Sequence, residues 1–370
     1  LSGSWEKGND TRFPGGTITP TQYNRYTYGV GYGFRAGQHD AGVDYMRNQT
    51  TNTGTPALPM DIAYVYSNLF SGEYHGAWSD NPIDGRLYYT RVDHKMTNYQ
   101  LRTPPSDPQF WRYALTDSKA GGYDFTTSFG LGAGELSLGV DGHLAQHDAD
   151  VLNPNNPLFY VVNFNDVERD VFGFFSEWQA DFTDQWSTEL GARYTRVNMD
   201  AGRVDASAAQ MNPMIRTLRD RFNTSSRDQE DNNVDLVAKV LYKVQPELTL
   251  DLGLARKTRS PSYQERYLWL PLQSTAGLAD GNNYVGDVDL DPEVAYEIDL
   301  GLDWQSASGY ATPRIFYRRV NDYIQGVPST DPVVIAVSDM MAQAMGMMPR
   351  PPLQFSNVDA KFYGFDMDLG

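Results

Sequence analysis

A histidine and a methionine, His94 and Met96, stand two positions apart in this chain. On a β-strand, side chains two residues apart project from the same face, so this pair can share one ion. Imidazole nitrogen and thioether sulfur are borderline and soft donors, which suit copper better than calcium or magnesium. The alternative is that His94 is a polar residue facing an interior channel and Met96 an apolar residue at a strand end.

A second group of soft donors occupies a nine-residue window of a predicted long loop. Its members are Met340, Met341, Met345, Met347 and Met348. Clustered thioethers could capture Cu(I) and hand it inward. The alternative is a flexible apolar loop tip, or a short helix packed on neighbouring loops, because methionine fills irregular gaps well.

The other histidines give weaker signals. His143 and His147 fall on the polar face of one predicted strand and, with Asp141, could extend an ion path; the alternative is that they are solvated polar groups. His39 lies in a predicted turn and His75 in an irregular strand, and neither has a suitably spaced partner.

Several kinds of chemistry are not supported. The chain has no cysteine, which excludes disulfides, Cys₄ zinc sites and thiol catalysis in these residues. The stretch from Gly31 to Ala36 matches a dinucleotide fingerprint only by accident, since no helix follows it. Glu297 and Asp299 could act as an acid/base pair, but they lie among many similar carboxylates on an alternating strand. We therefore expect no enzymatic activity.

The elements that position these residues are strands. Val294, Tyr296, Ile298, Leu300, Leu302 and Trp304 alternate with Ala295, Glu297, Asp299, Gly301 and Asp303. The same period of two returns around residues 247–254 and 136–141. Strands of about ten residues with one apolar and one polar face are typical of a barrel that crosses a bilayer, with lipid outside and a wet lumen inside.

Composition agrees with this class. Mean hydropathy is −0.52, and no apolar run approaches the roughly 20 residues of a membrane helix. A membrane protein of this composition must be a closed barrel, in which neighbouring strands satisfy the backbone. The net charge of −17 argues against nucleic-acid binding and favours cations at the lumen and rim.

The alternation predicts roughly fourteen antiparallel strands. They lie near residues 1–7, 22–35, 39–49, 63–78, 85–96, 118–131, 135–147, 167–182, 186–198, 233–245, 247–257, 293–305, 309–321 and 357–370. The short connections would lie on the periplasmic side, with an aromatic belt beside them. The long connections would face outward, at 50–62, 97–117, 148–166, 199–232, 258–292 and 322–356.

Two motifs resemble a known family. The stretch Arg259-Ser-Pro-Ser-Tyr-Gln-Glu-Arg-Tyr267, and Leu290-Asp-Pro-Glu293 followed by Tyr296-Glu-Ile-Asp-Leu-Gly301, are similar to patterns of the TonB-dependent receptors. That resemblance implies a 22-stranded outer-membrane barrel closed by an N-terminal plug. Residues 1–370 would then be one barrel domain that is incomplete at both ends and lacks the plug. The alternation of apolar and polar residues stops at Gly370 within a predicted strand. A complete fourteen-stranded porin is the alternative interpretation.

A narrower resemblance is carried by Val92-Asp-His94-Lys-Met96-Thr-Asn-Tyr-Gln-Leu-Arg102. It is similar to the segment of TonB-dependent copper receptors in which a His-x-Met pair helps to bind copper. The resemblance implies that His94 and Met96 are ligands and that a Cys and a Met from the plug complete the site. Lys95 and Thr97 differ from the residues expected there, and a lysine between two ligands is unfavourable for a cation.

The resemblance implies transport of a scarce metal, most directly copper, across the bacterial outer membrane. Copper would be cargo and not a catalytic cofactor. The implied partners are outer-membrane lipid, the TonB complex acting through the absent plug, and a metal ion or metal chelate. The alternatives are a receptor for a ferric siderophore or another bulky ligand, a passive porin, and an outer-membrane barrel enzyme.

Overall fold

The computed structural model describes residues 1–272, 278–344, 346 and 348–370. One 16-stranded sheet forms most of it, and β12 and β15, with two residues each, leave fourteen longer strands. The longer strands follow one another antiparallel in chain order from β1 to β18, and β15 adds to β18 in parallel. These fourteen strands correspond to the fourteen predicted ones, and the all-β antiparallel prediction is confirmed.

The longer strands are β1 (Ser2–Gly8), β4 (Tyr23–Ala36), β5 (His39–Thr53), β6 (Asp61–Trp78), β7 (Asn81–Thr97), β8 (Tyr113–Leu131), β9 (Gly134–Asn153), β10 (Asn156–Asp181), β11 (Trp186–Asp200), β13 (Gln229–Gln245), β14 (Leu248–Arg259), β16 (Glu293–Ser306), β17 (Gly309–Pro328) and β18 (Leu353–Leu369). The short ones are β2 (Thr11–Phe13) and β3 (Gly16–Ile18), which pair as a separate hairpin, β12 (Asp205–Ala206) and β15 (Tyr284–Val285). The helices are α1 (Ala208–Met211), α2 (Pro213–Thr224), α3 (Tyr263–Tyr267), α4 (Pro332–Ala344) and a 3₁₀ turn at Pro108–Phe110.

The two faces of the sheet differ as the alternation predicts. Large apolar side chains on every second position are exposed, among them Leu250, Leu252 and Leu254 on β14 and Ile298 and Leu300 on β16. Exposed aromatic residues gather at the short turns, including Trp78, Phe182, Trp186, Trp304 and Tyr310. An apolar band with an aromatic girdle at its lower edge is the lipid-facing surface of a membrane barrel. None of the helices in the described ranges is long and apolar enough to cross a membrane.

The strands extend further on the outer side than predicted. The predicted loop at 148–166 is wrong, because β9 continues to Asn153 and β10 starts at Asn156, so only a tight turn joins them. Register shifts between Val162 and Val167 interrupt the regular alternation in this part of the pair. His75 lies in a strand, as predicted, but the strand is regular at that point, since its register with β5 and β7 is unbroken there. Its Nδ1 lies 2.6 Å from the carboxylate of Asp84 on β7.

The long loops build a compact layer above the strands. Helix α2 begins after Asn212, whose side chain accepts hydrogen bonds from the backbone of Met214 and Ile215. This N-cap with Pro213 at the first turn favours a helix here. Its buried face, Ile215, Leu218 and Phe222, joins one apolar cluster with α3, α4 and the outer ends of β9 to β11.

Two inward aromatic rings lie flat against the wall. The Tyr88 ring covers Gly122 on the adjacent strand, and the Phe175 ring covers Gly139, so a Cβ at either glycine would overlap the ring. Tyrosine and phenylalanine can take this position because the glycines leave the neighbouring strand bare at that point.

Candidate functional site

The site predicted at His94 and Met96 lies at the outer end of β7, beyond the exposed apolar residues Leu87 and Tyr89. His94 is paired in register with Thr116 of β8, and Met96 with Ala114. The two side chains are on the same, inward face of the strand, because the exposed residues of β7 occupy the other parity.

The imidazole of His94 has an unusual environment. Its Nε2 atom is buried and has no hydrogen-bond partner among the described residues. Burial lowers the pKa of His94 below its ordinary value, since the charged form is penalised away from water. At neutral pH the ring is therefore neutral and keeps a lone pair that a metal ion can accept.

Lys95, between the two candidate ligands, points to the opposite face. Its Nζ lies 4.7 Å from the centroid of the Tyr113 ring, a cation–π contact. The positive charge is thereby held on the far side of the strand. The objection that a lysine between His94 and Met96 disfavours a cation loses most of its weight in this geometry.

Met96 packs on the apolar cluster of the loop layer, together with Met340 and Met341 of α4. Met340, Met341 and Met348 also line a cavity of about 350 Å³ with Met60 and Arg112. Met340 Sδ accepts a hydrogen bond from Asn212 Nδ2 at 2.9 Å. Met345 and Met347, predicted for the same group, lie outside the described residues.

An ion pair fixes the loops next to Met96. Asp61, fully buried at the start of β6, receives Arg102 Nε at 2.7 Å and Nη2 at 2.6 Å. Arg102 also donates to the carbonyls of Leu58 and Thr55. Since Asp61 is paired with Thr97 and Ile62 with Met96, this clamp ties two outer loops to the strand end that carries the candidate ligands. Sequence reasoning missed Asp61 and Met60.

His143 and His147 are also inward, but each has a partner. His143 Nδ1 is 2.6 Å from the hydroxyl of Tyr88, and His147 Nδ1 is 2.5 Å from the hydroxyl of Ser118. The ring of His147 further contacts Tyr263 and Phe164, and burial lowers its pKa. His147 lies two strands from His94 and one inward row lower, a separation of about 12 Å at ordinary sheet spacings.

Carboxylates along the lumen wall are largely paired with arginine. Asp141, expected to join His143 and His147, is bound by Arg193 at 2.7 Å. Asp251 with Arg314 and Glu297 with Arg318 form similar pairs at 2.7 and 2.6 Å. Within the described ranges, no three His, Cys, Asp or Glu side chains come together as a metal site. A metal at His94 would accordingly need donors of another kind.

Comparison with known proteins gives one family and several similar structures. The family model described as "TonB dependent receptor-like, beta-barrel" matches residues 4–370. No curated protein matches the sequence significantly.

The solved copper transporter OprC is similar over 99% of this chain and 53% of its own, with 18% identity and a TM-score of 0.75. The hemophore receptor HasR of Serratia marcescens, solved with its hemophore HasA and heme, has 14% identity, a TM-score of 0.68 and coverages of 99% and 56%. The FrpB iron transporter from Neisseria meningitidis has 12% identity, a TM-score of 0.64 and coverages of 99% and 54%. The chain spans about half the length of these structures.

Proposed function

The chain belongs to the TonB-dependent receptor family and forms transmembrane β-barrel wall of the bacterial outer membrane, and from this premise we propose that it imports copper. The observation that carries the proposal is the buried Nε2 of His94, without a partner among the described residues, beside the thioether of Met96. A buried polar atom without a partner costs about 1–3 kcal/mol, which a bound ion would offset.

The donor set favours a soft metal. Neutral imidazole and thioether bind copper well, whereas calcium and magnesium require oxygen ligands. Copper sites in proteins usually have more than two ligands, so the proposal includes further donors from elsewhere in the full-length receptor. We expect them on a plug inside the barrel, as the resemblance of the His-x-Met segment implies, and TonB would act on that plug.

The methionines of the loop layer supply an entry route in this proposal. Met60, Met340, Met341 and Met348 line one cavity, and Met340 and Met341 share an apolar cluster with Met96. Thioethers bind Cu(I) without a charge, so an ion can pass along such a surface without being trapped. The net charge of −17 would raise the local cation concentration and the rate of encounter.

The test uses the full-length receptor with His94→Ala and Met96→Ala combined. The unmodified receptor should retain copper after dialysis, measured by elemental analysis, and support copper uptake by cells that depend on it. The double variant should lose both. A matched control, His39→Ala with Met367→Ala, removes the same residue types from the first position of β5, where the sequence predicted a turn, and from the lipid face, and it should behave like the unmodified receptor. Copper retention by the double variant would refute the proposal.

A ferric chelate is the second candidate cargo. Similar structures include an iron transporter and a hemophore receptor, and the cavity of about 350 Å³ is mostly apolar with Arg112 at its wall. A receptor of this kind would supply iron from a chelate regardless of His94 and Met96. Growth of the double variant on a ferric chelate as sole iron source, with Arg112→Ala failing to grow, would favour this candidate. The family assignment argues against the passive porin.

A further inference from the structure

Three basic residues, Arg256, Arg319 and Lys361, lie in one row across neighbouring strands, on the face of β14 to β18 that points away from the lumen. Arg256 is paired with Tyr296, Tyr296 with Arg319, and Arg319 with Lys361. Residues paired across neighbouring strands share a face, so Arg256 and Arg319 flank Tyr296, and Lys361 follows Arg319 on the same surface. We call these four residues the basic row.

The basic row faces outward, at the outer edge of the apolar band. One step nearer the short turns, on the same face, lie Leu254, Ile298, Tyr317 and Tyr363, all exposed. From Trp304 at the lower girdle to Tyr296 there are eight residues, about 27 Å along the strand or about 20 Å along the membrane normal. The apolar band of a barrel is about 25 Å tall, and the long side chains of arginine and lysine can extend over the remaining distance to the outer headgroup layer.

The cations of the basic row are not neutralised by the protein. Arg256, Arg319 and Lys361 make no ion pair with a carboxylate in the part of the chain that the structure describes, although Asp359 lies two residues along β18 from Lys361. Among the described residues, Arg256 donates only to the carbonyl of Val234. A second outward row behaves differently, since Arg91 pairs with Asp117 at 2.9 Å and Lys119 with the same carboxylate at 3.6 Å.

In a chain of net charge −17, three neighbouring basic side chains without a carboxylate partner among the described residues suggest a negatively charged ligand from outside the protein. Each stands at the level of the lipid headgroups, and Arg319 and Lys361 lie directly above Tyr317 and Tyr363, aromatic residues that suit the membrane interface. Guanidinium groups recognise phosphate through paired N–H donors, and basic residues at a membrane surface attract anionic headgroups. We propose that the basic row is a binding surface for the phosphorylated headgroup of an outer-leaflet lipid, whose acyl chains lie on the band beneath.

The test compares the full-length receptor with the triple variant Arg256→Gln, Arg319→Gln, Lys361→Gln. Native mass spectrometry would titrate each protein with bis-phosphorylated lipid A, and with the same lipid after removal of its phosphates. The unmodified receptor should bind the phosphorylated lipid, and the triple variant should bind it at least about 10-fold more weakly. The dephosphorylated lipid should bind both proteins equally weakly, and inorganic phosphate alone should not compete.

The control variant, Arg12→Gln, Arg203→Gln, Lys243→Gln, removes the same charge outside the row. It should bind like the unmodified receptor, which separates local recognition from net charge. Circular dichroism and thermal unfolding of all three proteins establish that each is folded. Equal binding of phosphorylated lipid by the triple variant and the unmodified receptor would overturn the proposal. So would binding of the dephosphorylated lipid to the unmodified receptor as tightly as the phosphorylated lipid, or full competition by inorganic phosphate.

Discussion

Strands β9 and β7 of the inner wall differ in how their histidine side chains are hydrogen-bonded. On β9, His143 and His147 donate to or accept from Tyr88 and Ser118 across the sheet, at 2.6 and 2.5 Å. On β7, His94 is partly buried as they are, yet its Nε2 has no partner among the described residues. All three rings face inward on an alternating strand, so their position in the pattern does not distinguish them.

The difference favours His94 over the two histidines of β9 as the ligand of the proposed copper site. The hydrogen bonds of His143 and His147 occupy Nδ1 and orient each ring toward Tyr88 or Ser118, whereas Nε2 of His94 is enclosed in the protein and no described group competes for it. Met96 adds a soft donor on the same side, and β9 carries no methionine at the equivalent distance from its histidines. We therefore expect copper affinity to depend on β7 far more than on β9, and the following changes test that contrast.

The largest effect is expected from His94→Gln in the full-length receptor. Glutamine keeps a polar side chain of comparable length but offers no imidazole nitrogen. Copper affinity, measured by competition with a chromophoric Cu(I) chelator, should fall about 100-fold, or about 2.7 kcal/mol. A loss of less than threefold would place the ion away from His94 and remove the contrast with β9.

A smaller loss is expected from Met96→Leu. Leucine conserves the volume packed on the apolar cluster, so stability should change by less than about 1.5 kcal/mol. Affinity should fall about 10-fold, because one soft donor of several is lost. Met367→Leu, on the lipid face, is the control, and the same chelator competition measures both variants. Unchanged affinity in Met96→Leu would mean that the thioether only fills space.

Breaking the Asp61–Arg102 clamp beside Met96 should reduce copper affinity less than Met96→Leu does. Asp61→Asn leaves Arg102 without its buried anion, a change that costs about 3–5 kcal/mol for buried pairs. The loops at 54–60 and 98–112 should become sensitive to protease, and copper affinity should fall about threefold through the loosened end of β7. Protease sensitivity without any change in affinity would separate the clamp from the site.

The smallest effect is expected from His147→Phe, alone or with His143→Phe. The phenylalanine ring can keep the contacts of His147 with Tyr263 and Phe164. Copper affinity should stay within about twofold of the unmodified receptor, which is within the ordinary scatter of surface substitutions. A loss comparable to that of His94→Gln would show that β9 also carries the ion and would break the comparison.

The lipid-crossing part of the fold could be read from the sequence because one physical requirement, an apolar exterior and a polar interior, repeats at every second residue. The strands around Leu250 and Ile298 were predicted on this basis. Beyond the bilayer that requirement ends, and the prediction failed there. The strand pair at 148–166 was taken for a loop, and α2 was missed although Asn212, Pro213, Ile215, Leu218 and Phe222 carry a cap and a helical spacing.

The candidate site was only partly accessible from sequence. The alternation of side chains along a strand is enough to put His94 and Met96 on one face. That Nε2 of His94 has no hydrogen-bond partner among the described residues depends on the side chains of the neighbouring strands, which the alternation does not predict. The Asp61–Arg102 pair joins residues 41 positions apart, and no local pattern signals it. The basic row depends on the register of four strands, which the alternation of a single strand does not give.

The flat rings over Gly122 and Gly139 have a consequence for the bore of the barrel. Because Tyr88 and Phe175 lie along the wall, the clearance inside is set by glycine and not by the aromatic side chain. A methyl group added at Gly139 would overlap the Phe175 ring, which would have to move toward the lumen. At these two points, the room for a body seated inside the barrel, and for cargo moving past it, depends on glycine hydrogens in place of side chains.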